Sequence, residues 1–356
     1  MDILGVVQQL RAADPALDYL GADEDVRPGK FLEFMLTNWR ETVKMVPSEA
    51  FPFLPGRPHG DVAMYRGESS VYPTSGPPLL RGVEPGTRKA AALKFLEKFR
   101  VAELELLMQD HPFMEVARRR RFNVDFHALA QHYGIPTSLF DVTSNIEVAA
   151  FFAVAKWNRV LKRFQPAASG RGVMFKFDWQ SIGTGYTRHF QPVGFGPGLR
   201  PARQHAWTFE IGREDFRHLP KLVQIIEFEH SLPASQVLFD KFNQGDWLYP
   251  DDCLASLVGR VDARKFVTDS AVRHAAAKDG VQVTPPRLLQ WIDLLQQELG
   301  IGCEEVRLKL EPGEIALAES QAARLEADFD AHRVAFPVVR EERESGRNSG
   351  GCIKSP

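Results

Sequence analysis

The chain has 356 residues, 44% of them hydrophobic and 25% charged, with a formal net charge of -2. Such a chain holds enough apolar material for a sizeable core, and its length suits one large domain with extensions or two domains. The charge balance excludes a global pull toward nucleic acid or anionic membrane, so that any partner must be recognised locally.

In chain order, the first twenty residues place acids where a signal peptide wants bases, and no window approaches the roughly 18 apolar residues of a membrane span. Apolar residues at helical spacing in "ILGVVQQL" and "KFLEFMLTNWRETVKMV" predict a helical N-terminal cover over 1–58. "DVAMYRGES" has the apolar run and sudden Gly of a short buried strand, and "SGPPLLRGVEPG" reads as a loop. Helix is expected from Thr87 to about Met108, and again up to Gly134, a C′ residue that Pro136 prevents from continuing. Asn145 is positioned to cap "IEVAAFFAVAKWN", whose composition on nearly all sides implies deep burial.

Beyond Gly170 the period becomes strand-like in "GVMFKFDW", "ARQHAWTFEIG" and "KLVQIIEFEH". Helix returns in "PASQVLFDKFNQGD", from Pro250 to about Ala277, in "TPPRLLQWIDLLQQELG" and from Gly313 to about Arg333. Helices before and after a mainly antiparallel set of strands give an α+β class. The expected organisation is a cover over 1–58, a domain over 59–262, a helical extension over 263–340 and a disordered tail over 341–356. The cysteines, Cys253, Cys303 and Cys352, are odd in number and lack metal-ligand spacing, which argues against disulfides or structural zinc and for a reducing cytoplasm. Cys352 sits one place too far from the end for prenylation.

The motifs "MYRGES" (64–69), "ALAQHYGIPTSLFDVTSNIEVAAFFAVA" (128–155), "RPARQHAWTFEI" (200–211) and "LFDKFNQGDWLYPDD" (238–252), in that order, resemble the FRG domain family, named for its Phe/Tyr-Arg-Gly motif. The resemblance covers roughly residues 60–260. Relatives usually carry Arg where this chain has Ser138, which puts in doubt any anion contact made by that Arg. The same order is remotely similar to the ADP-ribosyltransferase fold. That similarity implies an antiparallel core in which Tyr65-Arg66-Gly67 forms the first element, Thr143-Ser144 the second, and Gln204 stands in the third. It implies NAD as co-substrate, no metal, an unknown macromolecular target, and a toxin or phage-defence setting. A non-catalytic nucleotide- or protein-recognition module on the same fold is the alternative.

Cleavage of a nicotinamide–ribose bond passes through an oxocarbenium-like state, so the site must hold the dinucleotide and stabilise positive charge on ribose. Arg66 suits a pyrophosphate or ribose contact, or else ties its loop to a carboxylate; Gly67 beside it permits close backbone approach. Asp141 either bonds backbone amides or orients His132, and His132 and Tyr133 either stack on a base or are interior polar residues. Thr143 and Ser144 precede a helix start, where amides bind anions or are simply capped. Strand alternation points Glu227 and Glu229 together as a carboxylate pair, whereas chain order favours Gln204, which stabilises cation poorly. Arg118 to Arg121 are read as a solvated helix face, so nucleic acid is not an expected partner. Asp251 and Asp252 are read as a helix start in preference to a metal site.

Overall fold

The computed structural model describes residues 1–13, 63–73, 75–120, 124–158, 160–161, 163–177, 190–193, 197–209 and 223–331. Its centre is a six-stranded sheet in the order β6-β7-β2-β1-β5-β8, every neighbouring pair antiparallel. The strands are β1 (Met64–Glu68), β2 (Phe140–Thr143), β5 (Arg171–Phe177), β6 (Phe190–Pro192), β7 (Ala206–Phe209) and β8 (Val223–Glu229). The α+β class and the antiparallel core therefore hold.

The two faces of the sheet follow from alternation. Tyr65, Met174 and Phe228 point to one side, where they pack on α5 (Ile146–Val154) and on α1 (Ile3–Ala13) through Ile3, Val6 and Leu10. Met64, Phe140, Val142, Phe175 and Trp207 point to the other and form a separate apolar cluster. Helix α5 is buried on nearly every side, as its composition implies, and Asn145 caps it by accepting from the amides of Glu147 (2.9 Å) and Val148 (3.3 Å). It lies so close to β1 that a Cβ on Gly67 would stand 1.9 Å from the carbonyl oxygen of Ala149. The close approach that this glycine permits is thus an approach by the helix backbone.

Thr87 caps α2 (Arg88–Met108), which is followed by α3 (Pro112–Arg120) and α4 (Phe126–His132). Gly134 ends α4 at φ 107°, with its amide on the Gln131 carbonyl and that of Ile135 on the Ala130 carbonyl, the C′ role expected of it. The single-turn α6 (Arg200–Arg203) lies between β6 and β7, and after the last strand of the sheet come α7 (Leu232–Lys241), α8 (Cys253–Asp262), α9 (Asp269–Lys278), α10 (Pro285–Leu299) and α11 (Pro312–Ala331). Asp252 caps α8 by accepting from Leu254 and Ala255, so it is a helix start, and Gly300 closes α10 at φ 67°.

Three local expectations are corrected. "AKWN" does not extend α5 but forms β3 (Ala155–Asn158), paired with β4 (Arg163–Pro166) and anchored by Trp157 packing edge-on against Phe164. The stretch from Pro250 to Ala277 is broken by β9 (Phe266–Thr268), which pairs in parallel with β10 (Gly302–Glu304). The strand expected at "ARQHAWTFEIG" begins only at Ala206, because Arg200–Arg203 take a helical turn. Strand β9 forms through pairing with a distant segment, and β3 through a local hairpin with β4, each overriding the helical pattern.

The C-terminal helices pack within the chain. Ala92, Phe99 and Ala102 of α2 meet Val267, Ala271, Val272, Leu295 and Ile301. An ion pair fixes this contact: Arg100 donates to Glu103 (2.8 Å) and to the carbonyls of Phe266 and Arg264, while Glu103 accepts from the amide of Thr268 (2.7 Å). The second helical stretch of the expected cover and the expected tail lie outside the described residues. No helix among the described residues is long and apolar enough to cross a membrane.

Candidate functional site

Strand β1 is paired with β2 at Tyr65 opposite Thr143. Beside that pairing Arg66 reaches across, its Nη1 donating to the Asp141 carbonyl (2.8 Å), its Nε to Glu68 (3.2 Å), its guanidinium 5.7 Å from the centre of the Phe140 ring. A cavity of about 350 Å³ lies here, walled by β1, β2, the end of α4, α6 and the loop carrying Tyr249. Its volume falls within the range of small-ligand sites.

The polar wall is a connected set. Gln204 donates through Nε2 to the Leu248 carbonyl (2.9 Å), which leaves its Oε1 facing His132 Nδ1 at 3.2 Å. The Leu248 contact assigns the amide orientation and so a proton on His132 Nδ1, while Nε2 is turned toward Asp141 Oδ1 at 3.5 Å. Asp141 Oδ2 accepts from Gln131 Nε2 (3.1 Å), and Gln131 is itself held by Thr137. Asp141 Oδ1 has no hydrogen-bond partner among the described residues, and the Asp141 side chain is 42% exposed against 3% for His132. The carboxylate is therefore held between Gln131 and the His132 ring, with its Oδ1 buried against that ring while the partly exposed side chain lines the cavity.

Residues 61–160 match the model of the FRG domain family. The chain carries an FRG domain. No curated protein and no solved structure matches it. The matched span of the FRG domain supplies Arg66, Gln131, His132 and Asp141, while Arg200, Gln204 and Tyr249 come from beyond its end.

Of the residues singled out in sequence, the cavity brings together Tyr65, Arg66, Gly67, His132, Asp141, Thr143 and Gln204. Tyr65 is fully buried, packed against α5, so its ring belongs chiefly to the core. Thr143 is also committed: its hydroxyl donates to the Gln204 carbonyl (2.8 Å) and accepts from Asn145 N (3.0 Å). Ser144 and Tyr133 stand outside the lining. The Ser144 amide bonds the His205 carbonyl, and Asn145 occupies the amides at the helix start, so no open anion cradle remains there. His205 holds φ at 46°, and burial pushes its pKa down to about 4, leaving that ring neutral at pH 7.

Tyr133 works from behind. Its hydroxyl donates to Asp252 (2.5 Å), burial raises its pKa well above the ordinary value, and its ring stacks on the Arg200 guanidinium at 4.4 Å. Tyr249 covers Arg200 from 4.9 Å, and Arg200 Nη1 donates to the His132 carbonyl (3.1 Å). Arg200 thus enters the lining with its Nε unbonded among the described residues. Sequence reasoning passed over it, although "GLRPAR" placed it close to Gln204. Arg81, set over the Tyr72 ring at 5.4 Å, is a third guanidinium of the lining that was missed.

Glu229 is set apart. Strand β8 is the far edge of the sheet, and Glu227 and Glu229 share a face there as alternation requires, but both are engaged by Arg171. Neither lines the cavity. Ser138 also turns away: its amide and hydroxyl donate to Glu97 Oε1 at 2.6 and 2.8 Å, and the same oxygen meets His127 at 2.6 Å. An arginine at this position would face a buried carboxylate of α2. Among the described residues no group of three or more His, Cys, Asp or Glu side chains is placed to hold a metal ion.

Proposed function

We propose that the FRG domain cavity binds NAD or a related nucleotide, and that its chemistry is ADP-ribosyltransferase-like, with Asp141 as the carboxylate facing the ribose. The supporting observation is that Arg66, Arg81 and Arg200 line the same cavity as the partly exposed Asp141 carboxylate. Guanidinium forks match phosphate oxygens, and a carboxylate stabilises an oxocarbenium-like ribose. In this reaction the C–N glycosidic bond breaks, its electron pair leaves with nicotinamide, and an acceptor nucleophile bonds to the ribose carbon and loses its proton to Asp141 or to solvent. Water as acceptor gives glycohydrolase activity, and a macromolecule gives transfer. Gln204 acts by orienting His132, since both ends of its amide are already bonded. The free thiols of Cys253 and Cys303 fit a reducing cytoplasm, and a toxin or phage-defence setting would follow from the acceptor's identity.

Release of nicotinamide from NAD tests the reading. Wild-type protein should release it, and Asp141→Asn should be slower by about a hundredfold or more, the size expected when a charge-stabilising group is lost. Equal rates for the two proteins would remove Asp141 from the chemistry. Binding without release by the wild type would instead support a recognition module, a reading favoured by the commitment of Gln204 and the distance of the Glu227–Glu229 pair from the cavity.

A further inference from the structure

The β3–β4 hairpin is left unused by the nucleotide chemistry. Its sequence from Lys156 to Arg163, "KWNRVLKR", carries four cations and no acid in a chain whose net charge is -2. Lys156 and Arg163 are exposed, Trp157 is 53% exposed and Val160 90%. These large apolar groups stand in solvent, so the core does not explain them. From Trp157 a line of rings leads inward: Trp157 meets Phe164 at 5.0 Å, Phe164 meets Tyr249 at 5.0 Å, and Tyr249 lines the cavity. The loop after α7 adjoins this line, because Gly245, at φ 104°, is placed so that a Cβ would stand 3.0 Å from the Phe164 ring. The same loop presents Trp247, 49% exposed, with the Arg203 guanidinium 4.4 Å from its ring centre. Asp246 and Asp251 are the exposed acids of the loop, which confines the cationic surface to the hairpin and Arg203.

We propose that this surface binds single-stranded nucleic acid. Cations that track a phosphate backbone, interleaved with aromatic faces on which bases stack, are the physical requirements for binding a strand with little sequence preference. Two exposed indoles supply the faces, and Lys156, Arg163 and Arg203 supply the charge. An anionic bilayer would also attract a basic hairpin, but a flat surface cannot follow the rings toward a cavity, whereas a strand can. The basic run at Arg118 and Arg119, by contrast, is paired with Glu115 at 3.3 and 3.9 Å and has no role here. Strand binding does not depend on NAD occupying the cavity.

The test is fluorescence anisotropy of labelled oligo-dT and oligo-U of about 15 nucleotides with the full chain. Wild-type protein should bind both, more weakly as salt rises from about 50 to 200 mM. Lys156→Glu with Arg163→Glu should weaken binding by about tenfold or more and flatten the salt dependence. Trp157→Ala should weaken it by roughly tenfold with the salt dependence unchanged. Arg118→Glu with Arg119→Glu should bind as wild type does, and strand binding should be unchanged by added NAD, which separates this inference from the nucleotide reading. All the hairpin substitutions are at exposed positions, and unchanged melting would confirm that the fold is intact. No binding at low salt, binding indifferent to the hairpin variants, or hairpin-dependent binding to phosphatidylserine vesicles without strand binding would each overturn the proposal.

Discussion

Gly67→Ala should destabilise the FRG domain by about 3 kcal/mol or more, the upper range for overpacking, and is expected to reduce soluble yield sharply. The added Cβ would stand 1.9 Å from Ala149 O and 2.6 Å from Ala153 N. Both are backbone atoms of α5, which cannot rotate aside as a side chain can. Relief would require α5 to move off β1, and α5 carries seven buried residues in its nine. Gly259→Ala provides the opposite sign: Gly259 is inside α8 with nothing within 4 Å of its Cβ position, so alanine there should stabilise by up to about 1 kcal/mol. Urea unfolding of the two variants checks both. A Gly67→Ala protein as stable as wild type would mean that α5 does not lie on β1 as described.

Glu103→Ala should cost about 3–5 kcal/mol. Side chains of Arg100 and Glu103 are 3% and 0% exposed, so removing one strands the other charge without water. Burial raises the pKa of Glu103, and Arg100 opposes that shift. The substitution also removes the acceptor for the Thr268 amide and so loosens β9 from α2. Replacing both partners with apolar residues, Arg100→Met with Glu103→Leu, should recover only part of the loss, because no charge is then left unpaired but the Thr268 amide still lacks its acceptor. A cost below about 1 kcal/mol for Glu103→Ala would show that the C-terminal helices are not fastened through this pair.

Features that arise from local chemistry were legible in the sequence. Asn145 before an apolar run, Gly134 ahead of Pro136 and Gly300 after α10 each mark a helix end through their own conformational or hydrogen-bonding preference. An apolar run ending in Gly located β1, and strand-like periodicity located β5 and β8 and placed Glu227 and Glu229 on one face. It could not say that β8 forms an edge, because strand order depends on pairing between segments far apart. Strand β9 was missed for the same reason, whereas β3 and β4 pair with each other in a local hairpin that the helical reading of "AKWN" concealed.

The candidate site divides along the same line. Arg66, His132, Asp141 and Gln204 were found by residue type and chain order, and they do share a cavity. Their division of roles was hidden. Gln204 looked like the group that meets the ribose until its bonds to Leu248 and His132 were seen. Gly67 marked a close approach, but nothing in its identity says whether ligand or helix approaches. Arg200 gains its position from Tyr133 and Tyr249, two rings distant in sequence that meet only in the fold.

Isothermal titration of NAD into wild type, Arg66→Ala and Glu229→Gln tests the central claim most directly. The account predicts binding by wild type, equal binding by Glu229→Gln, and a loss of about tenfold or more in Arg66→Ala, as for a charge-assisted hydrogen bond. Absence of binding by wild type, or binding that weakens in Glu229→Gln while Arg66→Ala is unaffected, would contradict it.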